Sequence, residues 1–258
     1  MPPPYSLMSE ITVHTLIYTK ADLDRAPPDE RLFFLMASSV ANDTQMFNKT
    51  LAVILEQDDA GHRLINQGNS AFGLMILRML TGRLNEAWKL VSKFSRMIKA
   101  NYQANLSDEA REGFNSILAY FGGKRSLILD VRDGMAFHHL PEHVEAAYQS
   151  LDPDADIGDY LHRSIGNTLF YTIEMLQYET LKNLAGMGNH IAALHQLITD
   201  TRVQTVNFNS FIFGFTLEFA KRYLPHALDR LADEAETIPV PRFDELSLPY
   251  FSLLPGAK

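Results

Sequence analysis

The sequence predicts an all-α protein, and two observations carry this prediction. Apolar residues recur at intervals of three and four, most clearly in the stripe from Leu77 to Ile98. The 258 residues are 46% hydrophobic and 21% charged, and they include no cysteine, so a large core without disulfides or thiolate metal ligands is expected. We predict a single-domain helical bundle with long antiparallel helices and an extended, proline-rich C-terminal tail.

Helical periodicity and local start and stop signals divide the chain into elements. In chain order, the predicted helices are 29–57, 69–102, 107–120, 124–138, one beginning at Pro141, 168–185, 188–199 and 207–224. A loop is predicted at 152–159, which is rich in aspartate. The extended tail is predicted from Thr237 onward, where prolines recur.

Each boundary has a chemical reason. Asn69 and Ser70 are residue types that cap helix N-termini, and the second long helix is expected to begin there. Gly122 and Gly123 end the third helix, and Pro225 stops the last one. The segment Thr201–Phe215 is rich in β-branched and aromatic residues, so a strand is the alternative there.

Charge is distributed unevenly along the chain. The net charge is −8, yet residues 61–135 carry 11 basic and 6 acidic residues between acidic flanks. This basic segment is either a solvated helix face or an anion-binding surface.

The first ten residues lack a signal peptide's pattern, and the longest apolar run is shorter than the ~20 residues of a membrane span. We expect a cytoplasmic protein with no membrane segment.

The segment from Arg125 to His143 is the part of the chain richest in chemistry-bearing residues. His138, His139 and His143 are close together in this segment, and Arg132 is the second arginine. On an ideal helix, residues seven apart return to nearly the same face, as Arg125, Arg132 and His139 would. The segment therefore predicts a polar ridge at the margin of the packed helices, held by the apolar stripe Ile128, Val131 and Met135.

Three interpretations of this ridge stay open. In the first, the arginines bind carboxylates and carbonyls while the histidines stabilise a helix end. In the second, His139 and His143 hold a metal with Glu142 nearby, although Pro141 interrupts that spacing. In the third, guanidinium groups bind a phosphodiester and imidazole transfers protons.

The run Arg132–His138 resembles the motif of the HEPN superfamily: an arginine, a polar residue directly after it, and then a histidine, with four to six residues between the arginine and the histidine. Asp133 is the polar residue, five residues separate Arg132 from His138, and six separate it from His139. The family more often has Asn after the arginine. The resemblance covers about residues 30–200, within an expected helical domain at 1–225. Residues 226–258 are expected to be an extension that packs on this domain.

The resemblance implies a homodimer whose motif helices meet across a two-fold axis and form one composite cleft. Many members are metal-independent endoribonucleases, and no cofactor is expected here. The residues implied in catalysis are Arg132, His138, His139 and Asp133, and Arg125 and Lys124 are expected to bind the RNA substrate. Some members only bind ligands or partners, so a non-catalytic binding or interaction protein is the alternative. A cognate antitoxin or regulatory protein is a further expected partner.

The motif helix is expected to pack along the first two long helices. In this arrangement Leu84, Trp88 and Val91 would be buried against the apolar stripe of the motif helix. Glu86 and Trp88 are expected to be capping and core residues of the second long helix.

Overall fold

The computed structural model describes residues 9–57, 61–123, 126–136, 140–155, 157–163, 165–231, 233 and 235–253. Helices dominate the described residues, which confirms the helical fold class. None of the helices in these ranges is long and apolar enough to span a membrane. The α-helices are α1 (Lys20–Leu23), α2 (Pro28–Leu55), α3 (Arg63–Asn101), α4 (Asp108–Phe121), α5 (Leu127–Val131), α6 (Pro141–Gln149), α7 (Tyr171–Ala185), α8 (His190–Tyr223) and α9 (Pro225–Asp229).

Several predicted helix boundaries lie close to the observed ones, but the start of α3 does not. The predicted cap at Asn69 and Ser70 is wrong, because α3 begins at Arg63 and both residues lie inside it. The Asn69 side chain instead accepts a hydrogen bond from the backbone N–H of Tyr250 (3.1 Å). A residue type that favours caps is therefore used here to hold another segment of the chain.

The strand alternative for Thr201–Phe215 is wrong, and so is the predicted break before residue 207. The helix α8 runs through both without interruption. Phe208, Phe211, Phe215 and Phe219 follow one another at intervals of three, four and four residues and are all buried. Burial of this aromatic face outweighs the weak strand preference of the individual residues.

Two strands lie outside the all-α prediction. The strand β1 (Ser9–His14) pairs antiparallel with β2 (Ala235–Val240), with Ser9 opposite Val240 and His14 opposite Ala235. Most of these residues are exposed, so neither strand has a buried face that would leave an alternating pattern in the sequence. The partners are also more than two hundred residues apart, which local sequence patterns do not reveal.

The chain divides into two compact units. Unit 1 contains the described residues of Met1–Asn42, Ala87–Leu118 and Val206–Leu246, and unit 2 contains those of Asp43–Glu86, Ala119–Thr205 and Ser247–Lys258. Aromatic side chains form the core of unit 1. Phe33 meets Phe215 edge to face with ring centroids 4.7 Å apart, and Phe34 stacks on Phe219 at 4.5 Å. Such pairs add to the stabilisation from buried area alone.

One carboxylate is buried in unit 1. Glu30 is only 4% exposed, and it accepts hydrogen bonds from the Asn101 amide (2.7 Å), the Tyr102 hydroxyl and the Tyr223 hydroxyl (2.8 Å). The Arg222 guanidinium lies over the Tyr102 ring, 4.4 Å from its centroid. These contacts join α2, α3 and α8 and compensate the cost of burying a charge.

In unit 2, the short helix α5 packs against α7, and α7 packs against α6. Another cluster in unit 2 contains the buried residues Ala71, Leu169 and Tyr171, with the partly buried Tyr250 and Phe251 packed against it. The C-terminal segment is further held where the Asn167 amide donates to the Ser252 carbonyl (2.7 Å) and accepts from its N–H (3.0 Å).

The apolar stripes of the second long helix and of the motif helix are largely buried. Leu84, Val91, Ile128, Val131 and Met135 are all buried, as expected for core positions. Trp88 is only half-buried, so its assignment to the core holds in part. The packing of the motif helix along the two long helices stays a prediction.

Candidate functional site

The motif segment begins with a capped helix. Ser126 is the N-cap of α5, with an extended backbone, and its hydroxyl accepts from the Leu129 N–H at 3.5 Å. The predicted start at Lys124 is therefore too early. Lys124, Arg125, His138 and His139 lie outside the described residues, so the roles expected of these four stay predictions.

The helix changes form at the motif itself. After α5, residues Arg132–Ala136 form a π-helical turn instead of continuing as an α-helix. The predicted α-helix through 138 is thus wrong over these five residues. A π turn takes more residues than an α turn, so the argument that residues seven apart share a face does not apply across it. Single π turns are uncommon and often occur at functional sites.

Buried apolar side chains hold the π turn in place, while Arg132 stays partly exposed at the surface. Ile128, Val131 and Met135 are buried, and both α5 and the π turn pack against α7. The Arg132 side chain is 27% exposed. This is the expected arrangement of a polar residue at the margin of a packed core, with a rigid support beneath it.

Arg132 and Asp133 form an ion pair although they are adjacent in sequence. The Arg132 Nη1 lies 2.5 Å from the Asp133 Oδ1. On a regular helix adjacent side chains point in different directions, and here the two meet within the π turn. The contact places the Asp133 carboxylate where it can orient Arg132, and the catalytic role implied for Asp133 stays a prediction.

Arg132 lines a cavity of about 320 Å³ in unit 2. Four of the other lining residues come from one face of α3, where they are spaced by three, one and three residues. The lining residues are Phe47, Met79, Gly82, Arg83, Glu86 and Arg132. The cavity therefore combines two guanidinium groups, one carboxylate and an apolar part.

The second guanidinium is also held by a carboxylate. Arg83 Nε lies 3.3 Å from Asp43 Oδ2, across α2 and α3. The ion pair engages Nε, and the Arg83 side chain is 48% exposed, so part of the guanidinium is accessible to a ligand. A guanidinium fixed in this way presents the remaining N–H groups in a planar fork that suits phosphate oxygens.

His143 contacts the π turn from α6. Its Nδ1 lies 3.3 Å from the Gly134 carbonyl oxygen, and because a carbonyl only accepts, Nδ1 carries the proton of this hydrogen bond. A Cβ on Gly134 would lie 3.0 Å from two atoms of the His143 ring. Glycine is thus the residue that allows the ring to approach the turn so closely.

The interpretation of this segment as a metal site involves His139 and His143 as ligands. The helix α6 begins at Pro141 and carries His143, whereas His139 lies outside the described residues. Among the residues that the structure describes, no group of three His, Asp or Glu side chains is arranged to hold a metal ion.

A second cavity in unit 2, of about 260 Å³, has a different character. Its walls include Leu51, Leu74 and Leu77, and its polar residues are amides and hydroxyls such as Asn66 and Tyr178. Its described lining contains no charged side chain. A phosphate would lose its hydration there without gaining an ionic partner, so the cavity at Arg132 is the better candidate for an anionic substrate.

Comparison of the chain with known protein families, with curated proteins and with solved structures gives no match. The resemblance to the HEPN motif therefore rests on the residues Arg132–His138 alone.

The sequence pattern points to Arg132 but not to the other five residues that line this cavity. It gives no role to Phe47, Met79, Gly82 and Arg83. The expectation that Glu86 is a core or capping residue is wrong, because Glu86 is exposed and lines the cavity. A signal was present for α3: Met79, Gly82, Arg83 and Glu86 share one helix face within the basic segment 61–135. The approach of Phe47 and Arg132 to that face depends on tertiary packing.

Proposed function

We propose that this protein is a HEPN-like endoribonuclease that cleaves RNA without a metal, and that Arg132 and Arg83 bind the scissile phosphate. The observation that carries the proposal is that Arg132, the motif arginine, shares a cavity with a second arginine from α3. Two guanidinium groups directed at one phosphate stabilise both the bound substrate and the charge that develops during transfer.

The chemistry follows from the motif. The ribose 2′-hydroxyl attacks the adjacent phosphorus, so an O–P bond forms while the bond from phosphorus to the 5′-oxygen breaks. The proton of the 2′-hydroxyl passes to a base, and the leaving 5′-oxygen receives a proton. His138 and His139 are the residues proposed for these transfers. The products are a 2′,3′-cyclic phosphate and a free 5′-hydroxyl, and no external water takes part in this step.

The proposal includes a homodimer with a composite cleft, because one arginine and two histidines per chain make a sparse site. Exposed methionines in unit 2 support an interface near the cavity: Met79, which lines it, and Met75, one turn away on α3, are each 41% exposed. Methionine is frequent at surfaces that bind other proteins. A chain that stays monomeric at micromolar concentration, measured by light scattering, would contradict the composite site.

We also assign residues 1–225 to one HEPN-like domain and 226–258 to an extension that packs on it. The proposed location is the cytoplasm, where RNA is present and where a chain without cysteine needs no oxidising compartment.

A cognate antitoxin or regulatory protein would block the cleft in the proposed system. Arg125 and Lys124 would add phosphate contacts next to it.

A second candidate function is non-catalytic binding by a HEPN-like protein, and one observation favours it. Both arginines already pair with a carboxylate, Arg132 with Asp133 and Arg83 with Asp43, and Glu86 adds a further acid to the cavity. An RNA phosphate has to compete with these carboxylates for the two guanidinium groups. In this alternative the motif residues serve structure or partner binding.

Cleavage of mixed RNA by the purified protein, with and without EDTA, separates the two functions. We expect cleavage in both conditions, and we expect Arg132→Ala and Arg83→Ala each to lower the rate by roughly a hundredfold or more, as loss of a charge-stabilising group does. Arg96→Ala is the matched control, because Arg96 is an exposed arginine of α3 outside the cavity.

The outcomes divide clearly. Cleavage that needs a divalent cation would contradict the proposed mechanism. Binding of RNA without cleavage, lost with Arg132→Ala and weakened steeply by salt, would support the non-catalytic alternative. Equal behaviour of the Arg132→Ala and Arg96→Ala variants would remove the cavity from either function.

A further inference from the structure

The cavity at Arg132 contains more than a phosphate site. Arg83 and Arg132 supply positive charge, while Phe47, Met79 and Glu86 supply an apolar surface and a carboxylate. We infer that the cavity binds one nucleotide and selects guanine, with Glu86 accepting hydrogen bonds from the edge of the base. The inference rests on the proposed function and adds the identity of the base at the cleavage site.

The size and lining of the cavity fit a nucleotide. A dry cavity of roughly 150 Å³ holds benzene, so about 320 Å³ leaves room for a fused-ring base together with its phosphate. Phe47 is half-buried and Met79 is partly exposed, which provides an aromatic and a thioether surface for a base. Proteins that bind unpaired RNA bases commonly use such surfaces for stacking.

The charges of the lining residues determine how a nucleotide is oriented in the cavity. A phosphate is attracted by the two guanidinium groups and repelled by the Glu86 carboxylate. The base is the uncharged part of a nucleotide, so it takes the place beside Glu86 while the phosphate takes the place beside Arg83 and Arg132. The absence of a side chain at Gly82, between Met79 and Glu86 on the same face of α3, leaves space for the base.

Glu86 then distinguishes the bases by their hydrogen-bond donors. An ionised carboxylate only accepts, and its two oxygens offer about four acceptor positions, so a partner already bound to Glu86 leaves acceptor capacity. Guanine presents two adjacent donor groups, N1–H and the N2 amino group, to both carboxylate oxygens. Uracil presents a single N–H flanked by two carbonyl oxygens, which a carboxylate repels. A good bidentate pair changes affinity by roughly ten- to a hundredfold.

Titration of the full chain with mononucleotides tests the inference apart from cleavage. Guanosine 3′-monophosphate, uridine 3′-monophosphate and inorganic phosphate would be titrated separately in a calorimeter. We expect guanosine 3′-monophosphate to bind roughly tenfold tighter than the uridine nucleotide, or more. With Glu86→Gln we expect this preference to fall to about twofold or less, while phosphate binds as tightly as before or more tightly. Glu112→Gln, at an exposed acid on α4, should leave all three affinities unchanged.

The failures of the two proposals are distinguishable. Equal affinity for both nucleotides, or a guanine preference that survives Glu86→Gln, overturns the inference, and the phosphate site stands if Arg132→Ala weakens phosphate binding. A Glu86-dependent guanine preference together with phosphate binding that Arg132→Ala does not change supports the base site and overturns the proposed phosphate site. Failure of all three probes to bind overturns both.

Discussion

Arg132 and Asp133 are neighbours in sequence, and their side chains form an ion pair with Nη1 and Oδ1 2.5 Å apart. The pair lies in a π-helical turn whose inner residues, Gly134 and Met135, are buried. The turn thus places a guanidinium at the edge of a cavity and a carboxylate against that guanidinium. Arg83, which lines the same cavity, forms a second ion pair of this kind with Asp43. Oriented cations of this kind bind phosphate without first having to be ordered.

Removal of the Asp133 carboxylate should disturb the orientation of Arg132 more than its charge. For Asp133→Ala we expect the rate of RNA cleavage to fall by roughly ten- to a hundredfold, as misplacement of a catalytic group does, with little loss of RNA affinity. Single-turnover kinetics at saturating RNA measure this. Asp108→Ala is the matched control, because Asp108 also pairs with an arginine, Arg111, at 2.9 Å, in unit 1. Equal rates for the two variants would show that the Arg132–Asp133 pair has no role in cleavage.

Gly134→Ala should destabilise the protein. The added Cβ would lie 3.0 Å from the His143 ring and 3.3 Å from Leu184 Cδ1, so α6 or α7 would have to move. We expect a loss of ~1–3 kcal/mol in the free energy of unfolding, as for other overpacked sites. Gly188→Ala is the control, since apart from Gly188 itself and its two chain neighbours no atom lies within 4 Å of its added Cβ. Urea denaturation of both variants measures the difference, and equal stability would contradict the close approach of His143.

Tyr102→Phe should be costly because it removes a donor from a buried carboxylate. Tyr102 is fully buried and donates to Glu30. Loss of this bond leaves Glu30 with fewer partners in a site that excludes water, and we expect a cost of ~1–3 kcal/mol. Tyr148→Phe, at an exposed position, should change stability by less than about 0.5 kcal/mol. A Tyr102→Phe variant as stable as the parent would contradict the network around Glu30.

The same tyrosine predicts a loss of stability at high pH. Burial, and then the hydrogen bond and charge of Glu30, raise the pKa of Tyr102 above its ordinary value of 10.0. As pH rises past that value, the unfolded chain loses the proton first, so the unfolded state is favoured. The stabilisation is therefore present below pH 10.0 and is lost above it. Burial also raises the pKa of Tyr120 and Tyr178, so Tyr102→Phe should flatten only part of the decline. Urea denaturation between neutral and alkaline pH measures it, and an unchanged decline would exclude Tyr102 as a contributor.

The sequence was sufficient to predict the helices because their apolar periodicity is local. Leu77 to Ile98 follow one stripe, and α3 carries it. The secondary structure of the aromatic part of α8 was harder to predict. Phe211 and Phe215 each favour a strand as single residues, but together they form a buried face of a helix. The β1–β2 pair could not be predicted, because its residues are exposed and its partners are distant in sequence.

The candidate site was predictable in part. The arginine at 132 stood out through its spacing to His138, and Asp133 through its position beside it. The π turn could not be predicted, because the amino-acid sequence of Arg132–Ala136 is equally compatible with a π turn and an α turn. Arg83 and Glu86 become candidates only when the fold brings α3 to the same cavity as Arg132.

The chemical identity of the RNA ends tests the central claim most directly. A short RNA of defined sequence would be incubated with the protein in EDTA, beside the Arg132→Ala and Arg132→Lys variants, and the products analysed by mass spectrometry. We expect 2′,3′-cyclic phosphate and 5′-hydroxyl ends from the parent, none from Arg132→Ala, and little from Arg132→Lys, since a point charge does not replace a planar fork. Products ending in a 3′-hydroxyl, or cleavage by Arg132→Ala at the parent's rate, would contradict the account.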